Sequence, residues 1–272
     1  MNFISQIKYH DIGYDSLNNR FHHHNNELEI LHIIRGNGSL MIRDKLYPLS
    51  ENTIYFIDGK DAHYSSPELP QKYIRSKIIF SADILLELAK ALKCSALIKD
   101  LFWDGGSIIT LSADSSSKID KCFFNLSLNQ SENYQNSYDI NFFINLFSII
   151  DLSLKNKSSA IKTIDNKISE VITFINRNSC QKLTLDYICD SVKISKYYLC
   201  REFKNTVGMT VFEYIEFSRI SLSKDLLLKT DKTISEISEE SGFESTAYFS
   251  KVFKKIEKIS PSTYRKQGTP NL

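Results

Sequence analysis

Residues 233–265, TISEISEESGFESTAYFSKVFKKIEKISPSTYR, decide the fold, because residues 184–204, TLDYICDSVKISKYYLCREFK, are an earlier copy of their first part. Thr184, Leu185, Ile188 and Ile194 recur as Thr233, Ile234, Ile237 and Phe243 at an offset of 49. After one extra residue in the second copy, Tyr198, Leu199, Phe203 and Lys204 recur as Tyr248, Phe249, Phe253 and Lys254 at an offset of 50. An internal repeat of this length is one supersecondary unit used twice. Each copy reads as a short helix, a turn and a second helix, the helix-turn-helix arrangement. The punctuation is local: Thr210 with Glu213 and Thr233 with Glu236 have capping-box spacing, and Ser260-Pro261 puts a proline where a helix can start without losing a hydrogen bond.

In the second helix of the first copy, Leu199 and Phe203 are four apart and form the buried stripe, which turns Lys196, Tyr197, Cys200, Arg201 and Lys204 outward together. In the second copy Phe249 and Phe253 take that role, leaving Thr246, Ala247, Ser250, Lys251, Lys254 and Lys255 outward. Tyr198 and Tyr248 are expected in the core. An outward face of this kind fits the major groove: the planar fork of Arg201 matches a guanine edge, and Lys204, Lys254 and Lys255 suit phosphates. The intervening helix, Thr210 to about Lys229, spans roughly twenty residues or about 30 Å, close to the ~34 Å turn of B-DNA. One chain could thus reach two successive grooves.

The charge agrees. The net charge is +2, but residues 1–163 carry 17 basic and 18 acidic side chains and residues 164–272 carry 17 and 14. Five cysteines without a CxxC pair suggest neither a disulfide framework nor a zinc knuckle. The longest apolar run, residues 142–150, is too short to span a bilayer, and a cytoplasmic location is expected.

Upstream, LEILHII, SLMIR, TIYFI and IRSKIIF are short strand-like runs separated by RGNG, RDK and SSPELP, and Asn37-Gly38 suggests a hairpin turn. From Ser81, a possible helix cap, Ile84, Leu85, Leu88 and Leu92 recur at helical spacing. A further helix is expected over about 138–154. The serine-rich stretch LSADSSSKID has no clear period, and residues 155–163 read as a linker between domains 1–154 and 164–272.

The C-terminal region resembles the AraC/XylS family of bacterial transcription regulators over about residues 165–266. The likeness rests on Ile237, Gly242-Phe243, Tyr248-Phe249, Phe253-Lys254, Ser260-Pro261 and Tyr264-Arg265, and on RISLSKDLL from Arg219 to Leu227. The usual glycine before the Ser-Pro segment is Lys258 here, and Ser223 stands where alanine is usual. The resemblance implies that Tyr197, Cys200, Arg201, Thr246, Ala247, Ser250 and Lys251 face the groove. RFHHHNNELEILHIIRGNGSLMI and LYPLSENTIYFID are similar to the family's cupin-like effector domain.

The expected fold is therefore α+β: an N-terminal cupin-like β-barrel with a helical dimerisation hairpin within 81–93 or 138–154, then an all-α domain of two helix-turn-helix modules joined by a linker helix. The expected function is a ligand-responsive activator of transcription. Its partners would be double-stranded promoter DNA, a small-molecule effector such as a carbohydrate, RNA polymerase and a second copy of the chain. His22, His24, Glu29 and His63 are the candidate effector contacts. His22-x-His24-x4-Glu29-x6-Gly36, with His63 later, also fits the metal motif of catalytic cupins, which gives the rival reading: a metal-dependent oxygenase or isomerase with a DNA-binding tail. Gly59 and His63 are separated by three intervening residues where that motif has two, and Glu29 is expected to alternate outward on its strand. No catalytic residue, metal or cofactor is therefore assigned.

Overall fold

The structure, a computed structural model, describes residues 3–12, 27–43, 45–59, 61, 63–68, 73–103, 107–128, 135–155, 164 and 166–268. The chain divides into two compact units, residues 1–164 and 165–272.

The first unit holds two antiparallel sheets. Strands β1 (Ile4–Ile12), β7 (Ile74–Ser81), β2 (Glu27–Arg35), β5 (Thr53–Asp58) and β8 (Ser107–Thr110) form one, in that spatial order. Strands β4 (Lys45–Leu49), β3 (Gly38–Ile42) and β6 (His63–Pro67) form the other. Strand alternation sorts the side chains. Leu31, Ile33, Tyr55 and Ile57 of the larger sheet pack with Leu40, Ile42 and Leu49 of the smaller, forming the core between them. Leu28, Ile30, Ile54, Phe56, Ile78 and Phe80 point the other way, onto α1 (Ala82–Ala91), α2 (Ser95–Phe102), α3 (Ala113–Leu128) and α4 (Gln135–Lys155). The expected barrel is thus built as two facing sheets, and no closed barrel forms among the described residues.

Asn37-Gly38 does not close a hairpin. Strand β2 pairs with β5 and β7, while β3 pairs with β4 and β6, so this turn carries the chain from one sheet to the other. Gly38 is required for a different reason: a Cβ there would lie 2.3 Å from the Ser66 carbonyl oxygen on the neighbouring strand. Ser81 does cap α1, accepting from Ile84 N. The serine-rich stretch becomes the start of α3, whose inward stripe is Ser116, Ile119, Phe123 and Leu126. Among the described residues no helix is long and apolar enough to cross a membrane.

The second unit contains α5 (Lys167–Asn178), α6 (Leu185–Val192), α7 (Lys196–Val207), α8 (Val211–Lys229), α9 (Ile234–Glu240), α10 (Thr246–Glu257) and α11 (Pro261–Gly268). The repeat in sequence is a repeat in bonding. Thr184 caps α6 and Thr233 caps α9; Ser195 caps α7 through Tyr198 N, and Ser245 caps α10 through Tyr248 N. Both turns close alike, with Ile194 N donating to Cys189 O and Phe243 N to Ser238 O. The copy extends beyond the segment that revealed it: Tyr214 meets Phe203 edge-on at 5.5 Å, and Tyr264 meets Phe253 at 5.5 Å.

Helix α8 serves both modules. Val211, Tyr214 and Ile215 are buried in its first half and Ile220, Ser223 and Leu227 in its second. At about 100° per residue these sets lie on nearly opposite faces, because each half belongs to a different core. Ser223 is fully buried and satisfied locally, its hydroxyl donating to Ile220 O at 2.7 Å. Lys258 takes the left-handed conformation, φ 66°, at the end of α10, where Gly208 with φ 76° ends α7. A side chain there carries steric strain that glycine lacks. Lys258→Gly is expected to stabilise the second unit by ~1 kcal/mol in chemical denaturation.

Candidate nucleic-acid interface

The caps and buried pairs of α7 and α10 decide which side chains these helices present. Leu199, Phe203 and Val207 are buried on α7, and Lys196, Tyr197, Cys200, Arg201 and Lys204 are exposed together opposite them. On α10, Phe249, Val252 and Phe253 are buried, Ala247, Lys251, Lys254 and Lys255 are exposed, and Thr246 and Ser250 are half-buried at the edge of that face. Tyr198 and Tyr248 do not join the cores. They are 38% and 49% exposed, since each stands one residue, about 100°, from the buried position that follows it.

Several of these groups are already held. The Arg201 guanidinium lies 5.3 Å from the Tyr197 ring centroid and donates from Nε to Glu202 Oε1 at 2.8 Å, contacts that hold its proton more tightly than usual. Lys196 pairs with Asp186 at 2.9 Å. Both pairs are solvent-exposed and of the kind worth little in water, so a phosphate or base edge can displace them. Lys204, Lys251, Lys254 and Lys255 add four more cations across the two faces. The 19 residues of α8 span about 28 Å.

In the first unit, Glu29 points inward between the sheets, only 2% exposed, not outward as its strand position suggested. Both faces of β2 are covered, so alternation selects between two interiors. Its Oε2 lies 3.2 Å from His63 Nε2 and 3.4 Å from Lys77 Nζ, and His63 Nδ1 donates to Asp61 O at 2.8 Å. Arg75 and Tyr73 are buried nearby, the guanidinium 5.5 Å from the tyrosine ring. The sequence thus picked two members of this polar cluster and missed three. Arg75 and Lys77 were hidden in an apolar-looking strand, although they alternate there with Ser76, Ile78 and Phe80, which face the other way. His22 and His24 lie outside the described residues. Among the described residues no three metal-ligating side chains converge, and the Glu29 oxygen that faces His63 faces an ammonium as well.

Two groove-sized basic helices on a shared spine, carried with a separate two-sheet unit that has a buried polar cluster, define a DNA-binding transcription regulator with a ligand-binding unit. The family model for the AraC-like ligand binding domain matches residues 7–95, and that for the helix-turn-helix domain matches residues 188–267. The chain is 26% identical to the lactose operon transcription activator of Staphylococcus xylosus, over 87% of this chain and 83% of that one. It is 33% identical to the xylose operon regulatory protein of Escherichia coli K12 over 37% of this chain, which is 26% of that relative's length. ToxT from Vibrio cholerae aligns over 97% of this chain and 98% of its own, with 21% identity and a TM-score of 0.40. The chain belongs to the AraC/XylS family and is a ligand-responsive, sequence-specific DNA-binding regulator of transcription.

Proposed function

We propose that the protein activates transcription by laying α7 and α10 into successive major grooves of promoter DNA, in response to a small molecule held between its two sheets. The observation that carries this reading is the doubled exposed face: the same caps and buried pairs present Arg201 and Lys204 on one helix and Lys251, Lys254 and Lys255 on the other. Arg201 reads a base, and the lysines anchor phosphates. Glu29, His63 and Lys77 offer acceptors and donors for the effector, and the lactose and xylose operon relatives favour a carbohydrate. Exposed Phe124 and Leu128 on α3 and Ile140, Ile144 and Leu152 on α4 support dimerisation. Activation implies contact with RNA polymerase in the cytoplasm.

Selection of bound duplexes from a random pool by the full chain supplies the operator. On it, Arg201→Ala is expected to weaken binding ~5- to 150-fold and to relax discrimination at one base pair. Lys254→Ala should weaken all sequences evenly and reduce the salt slope by about one. Full discrimination retained by Arg201→Ala would remove the assignment of that side chain.

A further inference from the structure

The two modules touch each other directly, and the contacts are specific. Arg219 lies midway along α8, where the helix passes from one core to the other. Its Nε donates to Ser179 O at 2.8 Å and a terminal nitrogen to Gln181 O at 2.9 Å, in the turn between α5 and α6. Ser179 is the C-cap of α5, where backbone acceptors lack intrahelical partners and the helix dipole favours a cation. The same guanidinium lies 5.7 Å from the ring centroid of Phe243, which belongs to the second module's core. One side chain therefore joins the loop that leads into the first module to the second module's interior.

The neighbouring residue makes the join close. Gly242, with φ 85°, is placed so that a Cβ would lie 2.7 Å from both Ser179 O and Cys180 Cα. The turn of the second module thus meets the loop between α5 and α6 backbone to backbone, at the same Ser179 carbonyl that accepts from Arg219. A third tie comes from Tyr248 of α10, whose hydroxyl donates to the Glu216 carboxylate on α8. Arg265 gives an internal comparison. It caps Leu227 O at 3.3 Å and Lys232 O at 2.5 Å around the end of α8, the same device used within one module and not across two.

We propose that Arg219 and Gly242 lock the two helix-turn-helix modules into a single rigid reading head, so that the protein itself fixes the spacing of the two half-sites it accepts. The proposal rests on the DNA-binding reading above. A shared helix alone is one strut, about which two small domains can still twist; the Arg219 fork and the Gly242 contact add fixed points off its axis. One base pair inserted between half-sites moves the second by ~3.4 Å and turns it by about 36°. A locked head cannot follow that change without losing one set of base contacts.

The test uses the full chain and a duplex selected from a random pool, remade with one base pair added or removed between the half-sites, and a duplex retaining one half-site only. Unaltered protein is expected to lose at least ~30-fold in affinity on either spacing change, comparable to losing one or two base contacts. Arg219→Met and Gly242→Ala are expected to bind the single half-site as well as the unaltered protein and to show a spacing penalty under ~5-fold. Arg219→Lys, which keeps the charge without the fork, should fall between. Unaltered protein that tolerates the inserted pair within ~3-fold overturns the lock even if no variant folds, and so does an Arg219→Met protein weakened equally on every duplex. Failure to select any duplex would instead overturn the DNA-binding reading, and the lock with it.

Discussion

Truncating Glu29 to alanine is expected to destabilise the N-terminal unit by about 3 to 5 kcal/mol, the range for removing one partner of a buried ion pair. The side chains of Glu29 and Lys77 are 3% and 8% exposed, and they meet at 3.4 Å. An ammonium left there without its carboxylate keeps the desolvation penalty and loses the attraction that offset it. The chain has one tryptophan, Trp103, at the end of α2 in the first unit, so its fluorescence reports this unit separately from the DNA-binding helices. Urea unfolding followed at Trp103 should show the loss, and Glu29→Ala with Lys77→Met should recover most of it, because the double variant no longer buries an ammonium without its carboxylate. A single variant within ~1 kcal/mol of the unaltered protein would show that the pair is not a buried, coupled one.

The helical half of the molecule was legible because its signals are local and stated twice. A threonine three residues before a glutamate specifies a helix start without reference to the rest of the chain, and the structure places capping boxes at Thr210 and Thr233. The stripes set by Leu199 with Phe203 and by Phe249 with Phe253 gave the exposed faces directly. What resisted reading was non-local. Asn37-Gly38 has hairpin chemistry, yet whether two strands pair across a turn depends on which sheet each joins. Glu29 alternates off one apolar face and onto another, a distinction visible only once the second sheet covers it. Ser116 breaks the apparent period of α3 because its burial is compensated by His32, 84 positions away in sequence. Arg219 enters the sequence reading only as the first residue of the RISLSKDLL stretch, because its carbonyl partners lie 40 and 38 residues distant.

The same long-range pairing gives the first unit a defined response to acid. His32 on β2 is fully buried, its ring 6.3 Å from that of Phe123, with Nε2 2.9 Å from Ser116 Oγ and Nδ1 lacking a hydrogen-bond partner among the described residues. Burial pushes its pKa down to about 4; Asp120 opposes that shift and His10 adds to it. A histidine depressed in the folded state takes up its proton first in the unfolded chain, so stability is full above the unfolded value of ~6.5 and falls as pH drops from there toward 4. Two and a half pH units at 1.36 kcal/mol each give a loss of ~3 kcal/mol. Asp139 acts in the opposite sense. Burial raises its carboxyl to about 6, so the folded chain binds that proton more readily and gains stability as pH falls through 6. The two contributions nearly cancel in the unaltered protein, which is why a pH scan of it alone would mislead. His32→Gln removes one and leaves the other: relative to that variant, unaltered protein should lose at least ~2 kcal/mol between pH 7 and 4.5 by Trp103-detected urea unfolding. Asp139→Asn should uncover the same acid loss directly. Parallel pH curves for unaltered and His32→Gln proteins would mean that the ring gains water or a proton acceptor in solution, and that the link between β2 and α3 is looser than its burial implies.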